Sequence, residues 1–215
     1  MKKVAFVLFL ALIGLQSMAQ GVKTPAPSPS QTIKQDFGLA SVEVNYSRPA
    51  TKGRKIFGDI VPFGKLWRTG ANAATKITFG EDVKIAGKEL KAGSYQVMTI
   101  PSQNSWEILF NKGKDGVFNY HPEEDVLKVS VASQTISNSI ENFTIQFANI
   151  SANKMDIQLS WEKTLVNIPV EVDIDSKIIS SIDKAMSVDT RPYFEAASYY
   201  FETGRDLNKA LEWVN

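Results

Sequence analysis

The chain has no cysteine, a single histidine (His121), and no apolar run long enough to cross a bilayer as a helix. Each absence removes a class of chemistry. Without cysteine there is no disulfide framework, no thiolate metal site, no cysteine nucleophile and no lipid-bearing cysteine behind a leader. With one histidine, a multi-histidine metal hydrolase is excluded. A Gly-Lys-Ser or Gly-Lys-Thr phosphate loop, a glycine-flanked serine elbow, a His-Glu-x-x-His pair and a Gly-x-Gly-x-x-Gly fingerprint are missing as well. The fold must therefore hold by its core alone, which 215 residues with 43% hydrophobic side chains can supply.

What is present starts with an address. Lys2 and Lys3, an apolar run from Val4 to Leu15 and the small-residue end Ser17-Met18-Ala19 have the layout of a secretory signal peptide, with cleavage expected after Ala19. The run is about a dozen residues, short of the roughly 20 a spanning helix needs. The expectation is a periplasmic or secreted protein with no membrane span after cleavage. Removing Lys2 and Lys3 from the 24 basic residues leaves 22 against 23 acidic ones. That near-neutral balance predicts no nucleic-acid partner. The charge is uneven, however: residues 20–115 hold 14 basic and 8 acidic side chains, and residues 116–215 hold 8 and 15.

Residues 20–30, with the Thr24-Pro-Ala-Pro-Ser-Pro-Ser30 tract, read as an extended linker. From Ser41 the pattern has period two, Val42, Val44 and Tyr46 alternating with Glu43 and Asn45 as in a half-buried strand. Further strands are expected at 76–79, 83–85, 94–100, 106–110, 126–131, 143–150, 155–161 and 165–172, separated by turn residues. Short strands without intervening helices predict an antiparallel β-sandwich or flattened barrel over residues 31–173.

The period then changes. Ile178, Ile179, Ile182, Ala185 and Met186 recur at three and four, with Asp175 or Ser176 as the expected cap. A second helix is expected from Pro192 to a stop at Gly204, and a third from Asp206 through Val214. The last two resemble a single tetratricopeptide-repeat hairpin within a helical segment at 174–215. One such unit cannot bury its own apolar face. It is expected either to dock on the sandwich through Trp213 or to belong to a longer helical array of which this chain is a fragment.

The least generic stretch lies between residues 48 and 76. Arg48, Lys52, Arg54, Lys55, Lys65 and Arg68 face a single acid, Asp59, and glycines stand at 53, 58, 64 and 70. Guanidinium groups bind carboxylate, sulfate or phosphate bidentately, and glycines let backbone amides approach a ligand. The candidate ligand-binding set is Arg48, Arg54, Trp67, Arg68, Thr69, Asn72 and Thr75, with Phe57, Phe63 and Trp67 as walls. The competing reading is an ordered loop that seals one end of the sandwich through Ile56, Phe57, Ile60, Val61, Phe63, Leu66 and Trp67. His121, followed by Glu123, Glu124 and Asp125, offers metal-ligating atom types, yet sequence-adjacent ligands seldom converge, and no metal or other cofactor is expected. Glu43, Asp59, Glu107, Glu123 and Asp125 are available for a paired-carboxylate glycosidase, with nothing to single out a pair.

Tyr46-Ser-Arg-Pro49, Lys52-Gly-Arg-Lys-Ile-Phe-Gly58, Val61-Pro-Phe-Gly-Lys-Leu-Trp-Arg-Thr-Gly-Ala-Asn72 and Ala92-Gly-Ser-Tyr95, in that order, resemble the signature of a secreted bacterial family catalogued as domain of unknown function 2911, over about residues 28–172. The resemblance implies an envelope protein of Gram-negative bacteria and brings no catalytic residues or cofactor with it. The functional expectation is a non-enzymatic domain that binds an anionic or carbohydrate-like ligand, or a protein partner. The alternatives are an envelope carbohydrate hydrolase and a protein-assembly module acting through the C-terminal helices.

Overall fold

The computed structural model describes residues 24–113, 120–187 and 192–215. The expected signal peptide lies outside the described residues, as do the first residues of the linker and Phe118 and Asn119 near His121. Nine strands are described: β1 (Ser30–Phe37), β2 (Ala40–Ser47), β3 (Thr75–Phe79), β4 (Val83–Ile85), β5 (Lys88–Leu90), β6 (Gly93–Pro101), β7 (Ser105–Asn111), β8 (Asp125–Ala148) and β9 (Lys154–Glu171). They form one antiparallel sheet in the order β1-β2-β3-β6-β7-β8-β9-β4-β5, open at β1 and β5.

The sheet encloses a core because β8 and β9 are long and bent. Residues 125–132 of β8 pair with β7, and from Ser133 onward β8 pairs with β9 instead. Register shifts around Ile140 interrupt the β8–β9 ladder, and opposite them Glu162 takes a left-handed φ of 53°. Extra residues on one strand bend and twist the pair. The bent ribbon brings Phe143, Ile145, Leu159 and Ile168 into one apolar cluster with Val44, Ile77, Val97, Trp106 and Phe110 of β2, β3, β6 and β7. Inward residues alternate with outward ones, as on Val42, Val44 and Tyr46 of β2.

Three details depart from expectation. The segments 126–131 and 143–150 are one strand, and so are 155–161 and 165–172, because the bend is absorbed by bulges rather than turns. The edge strand β1 was not expected, since Gln31 and Gln35 share its inner face with Ile33 and Phe37 and leave the apolar alternation incomplete. It joins β2 through Gly38, whose φ is 61°, and a Cβ there would lie 2.2 Å from the Glu81 carboxylate and 2.8 Å from Val172. The short hairpin β4–β5 adds to β9 at Glu171 and Val170.

Three helices follow: α1 (Asp175–Ala185), α2 (Tyr193–Glu202) and α3 (Leu207–Val214). The expected cap of α1 is corrected: Asp173 accepts from the Ser176 N–H at 3.2 Å, while Asp175 accepts from Tyr199 and Arg205 and so ties α1 to the hairpin. Lys177 reaches back to Glu81, 2.5 Å away, which also accepts from the Leu39 N–H. Helix α2 ends as expected, with Gly204 at φ 66° and the Arg205 and Gly204 amides donating to the Tyr200 and Phe201 carbonyls. Asp206 caps α3 by accepting from the Asn208 and Lys209 amides. Trp213 does not turn toward the sheet. It packs edge-on against Tyr200, 5.0 Å away, in a small cluster of its own with Ile182, Ala196 and Ala210.

Candidate functional site

The segment after β2 continues as a strap along the bent strand β8. Tyr46 accepts a hydrogen bond from the Ile145 N–H at 3.0 Å through its phenol oxygen, which donates to Gln31 Oε1 at 2.8 Å. Burial pushes that phenol's pKa up. Arg48 donates from Nε to the Phe143 carbonyl (3.1 Å) and from Nη2 to Thr144 Oγ1 (2.8 Å). The Phe143 N–H donates to Pro49, Ala50 bridges to Asn142, and the Thr51 N–H donates to the Glu141 carbonyl. Residues 46–51 thus behave as an irregular strand laid along residues 141–145 of β8.

Two carboxylates then fasten the loop. Glu141 accepts from the Thr51 hydroxyl and from the Lys52 N–H at 2.9 Å, and Glu162 accepts from the Ile56 N–H at 3.1 Å. The Thr51 hydrogen bond, then that of the Lys52 amide, with the Arg54 and Lys52 charges adding to them, hold the Glu141 carboxyl below the usual glutamate range. The expected amide and arginine cradle therefore already has anions in it, and they belong to the protein.

Past Ile56 the loop turns on itself, the Gly58 N–H donating to the Val61 carbonyl and the Val61 N–H to the Ile56 carbonyl, and drops two aromatic rings into the sandwich end. Phe57 lies 4.9 Å from Trp106, and Trp67 stacks on Trp161 at 5.8 Å with Phe143 at 5.1 Å, in edge and stacked arrangements. The Trp67 backbone bridges to Thr99 of β6, and its indole N–H donates to the Gly70 carbonyl at 3.0 Å.

The remaining candidate residues go to separate tasks. Arg54 is exposed and donates to the Thr51 and Ala50 carbonyls. Arg68, also exposed, donates to the Asn72 carbonyl at 2.5 Å, and the Asn72 amide donates toward the Ser28 carbonyl and Ser47 Oγ. Thr69 and Thr75 are wholly buried: Thr69 donates to Thr99 Oγ1 at 3.1 Å and Thr75 donates to the Thr69 carbonyl. Both border an apolar internal cavity of about 20 Å³ lined by Val44, Phe110 and Ile168. The structure brings together Arg68 with Asn72 and Thr69 with Thr75, sets Trp67 among the core rings, and sends Arg48 and Arg54 to different carbonyls.

A family model matches residues 28–170, where these motifs lie. The chain belongs to the DUF2911 family, described as a protein of unknown function. No curated protein and no solved structure matches this DUF2911 chain. Within the matched range, the motif residues of the 46–72 segment are largely the ones that zip the strap to β8 and fill the aromatic cluster. Glu141 and Glu162, the strap's anchors in this DUF2911 protein, were missed in the sequence, because each stands just outside an expected apolar strand segment and nothing local marks its partner.

Elsewhere the acids are held in local pairs. Glu107 pairs with Lys128 at 2.7 Å, and Asp125 accepts from Asn111 and Tyr120. His121 Nδ1 lies 3.4 Å from Glu123. Among the described residues no group of three or more histidines, cysteines or carboxylates is arranged to hold a metal, and no helix is long and apolar enough to cross a membrane.

The most apolar open surface is on the helices. Phe194, Phe201, Leu207, Leu211 and Val214 are 54–75% exposed and line a groove of about 460 Å³ whose floor is Ala197 and Ala210. Glu202 and Glu212 are exposed beside Phe201 and Leu211 in the chain, whereas Glu195 lines the cavity against α1; of the hairpin's cations, Arg205 is paired with Asp175 and the exposed Lys209 lies over the Tyr200 and Trp213 rings.

Proposed function

We propose that this DUF2911 protein is a non-enzymatic, secreted protein of the bacterial envelope that holds a helical segment of a partner protein in the α2–α3 groove. In this reading residues 31–173 are the base and residues 174–215 a tetratricopeptide-like arm. One observation carries it: five large apolar side chains exposed along a single groove of about 460 Å³. Contiguous apolar surface of this kind marks interaction sites. The ridges are spaced for a helix, Phe194 and Phe201 seven apart on α2 and Leu207, Leu211 and Val214 at four and seven on α3. A lone helical pair of repeat type gains its stability from a stacked neighbour, which is the kind of occupant the groove suits.

Charge narrows the partner. With Glu202 and Glu212 exposed beside Phe201 and Leu211, and Arg205 and Lys209 already engaged with Asp175 and with the Tyr200 and Trp213 rings, the favoured helix carries lysine or arginine beside its apolar stripe. The secreted location is supported by the leader-like start, Lys2-Lys3 followed by the Val4–Leu15 run.

The test uses a synthetic amphipathic helix with leucines at i, i+4 and i+7 and flanking lysines. It is expected to bind the intact protein and to lose at least about tenfold in affinity against Phe201→Ser with Leu211→Ser, as for loss of two groove anchors. Equal binding by that variant, or by a helix with glutamates in place of the lysines, would sink the reading. For the location, the periplasmic form is expected to begin at Gln20; an intact Met1 on a cytoplasmic pool would overturn it.

A further inference from the structure

The cations of the strap loop divide into those the fold consumes and those it leaves outside. Arg48 is spent on Phe143 and Thr144 of β8. Lys52, Arg54, Lys55, Lys65 and Arg68 are all exposed, and their only acidic neighbour in sequence is Asp59. Among the described residues Lys55, Lys65 and Arg68 form no ion pair. Between these charges the loop also exposes Ile60, Phe63 and Leu66, 49%, 37% and 39% accessible, although Ile56, Phe57 and Val61 beside them are buried.

That mixture is unlike a small-anion site. The amides and hydroxyl that could cradle one phosphate or sulfate hold Glu141 and Glu162, and Arg54 and Arg68 donate to backbone carbonyls rather than converging on a pocket. It also differs from a solvated charged face, which has no reason to expose three large apolar side chains. Scattered cations around protruding apolar groups suit a surface that offers many phosphates over an apolar interior. Basic residues are drawn to the negative potential of an anionic leaflet, and apolar side chains gain by entering the boundary between headgroups and acyl chains. The two contributions act together, because neither alone gives stable attachment.

We propose that the 52–68 loop is a peripheral membrane-binding surface that seats the protein on anionic phospholipid headgroups. The loop sits on a rigid frame, since Gly64 donates to the Pro101 carbonyl and Trp67 bridges Thr99, so it meets the bilayer already shaped. The surface belongs to the strap and is separate from the helical groove.

The test is co-sedimentation of the leader-free protein with phosphatidylcholine vesicles, with and without about one-third phosphatidylglycerol. Binding is expected only to the anionic vesicles and is expected to be released by about 0.5 M salt, where screening extends over only a few ångströms. Lys55→Glu with Lys65→Glu is expected to lower the partition at least about tenfold, each lysine being worth roughly fivefold before reversal. Ile60→Ser with Leu66→Ser is expected to lower it several-fold with the charges intact. Thermal midpoints of both variants check that the fold persists, and the second variant keeps the question open should the first unfold. Equal binding to neutral vesicles, no sedimentation with either kind, wild-type partition by both variants, or capture by heparin in the absence of vesicle binding would each overturn the proposal. The last result would assign the cations to a soluble polyanion.

Discussion

The strap and the helical hairpin are opposite solutions to the placement of aromatic and charged residues. In the strap, Phe57 and Trp67 are driven inward onto Trp106, Phe143 and Trp161, and the Arg48 side chain, the Thr51 hydroxyl and the Lys52 amide find partners 89 to 96 residues away in β8. In the hairpin, Tyr200, Ala196 and Ala210 are buried, yet Phe194 and Phe201 on the same helix remain in solvent. A residue type alone does not decide between core and interface. The strap lies along the bent β8–β9 ribbon, whose rings pack against it, whereas among the described residues Phe194 and Phe201 stay exposed.

Substitutions can break this contrast. The largest effect is expected from Trp67→Ala, which empties the centre of the aromatic cluster and should cost about 3 kcal/mol of unfolding free energy, the low end for large aromatics because the indole is half-buried. Urea denaturation measures it, and a loss below about 1 kcal/mol would mean the strap does not seal the sandwich. Gly70→Ala should follow at about 2 kcal/mol, because φ is 148° and the new Cβ would lie 3.1 Å from the Ser47 carbonyl.

Glu141→Gln tests the carboxylate anchor through pH. The folded carboxyl titrates below its unfolded value, so its contribution is fully present above the ordinary glutamate pKa of about 4.3 and is lost as pH falls through the lower folded value. The wild type should therefore lose stability more steeply than Glu141→Gln in acid, and parallel melting curves between pH 6 and pH 3 would remove the anchor from the account. In the hairpin, Asp206→Ala should cost about 1 kcal/mol by freeing the first amides of α3, read as reduced helical signal before global unfolding. Leu211→Ser should change stability by less than about 0.5 kcal/mol, since the side chain is 57% exposed. A larger loss there would show that the groove is already part of a packed core.

Much of this architecture was legible in local pattern. Period-two alternation located β2, β3, β6 and β7, and the change of period after Asp175, with Gly204 as a stop and a new start at Asp206, located the helices. What local pattern does not carry is partnership across the chain. The pairing of residues 46–51 with 141–145 joins segments 90 to 99 residues apart, so the Arg48 guanidinium, the Thr51 hydroxyl and the Lys52 amide looked free when each had a partner in β8. β1 was hidden for a different reason: Lys34 and Asp36 point outward and Gln31 and Gln35 interrupt the inner face between Ile33 and Phe37, so the strand gives no clean hydrophobic rhythm. For the candidate site, residue chemistry was read as free chemistry. Thr69 and Thr75, polar and next to glycine and alanine, are among the most enclosed side chains in the molecule.

The Tyr46 hydroxyl has a consequence for misfolding. Residues 140–148, Ile-Glu-Asn-Phe-Thr-Ile-Gln-Phe-Ala, combine branched and aromatic side chains with one charge and no proline, the composition of a segment that pairs readily with copies of itself. One flank of this segment is occupied by β9, and Tyr46, Arg48 and Pro49 cover hydrogen-bonding groups along the other. A molecule whose strap lifted away would offer that flank as an open template to its neighbours, so the strap that finishes the fold is also the guard that keeps it from growing into aggregates.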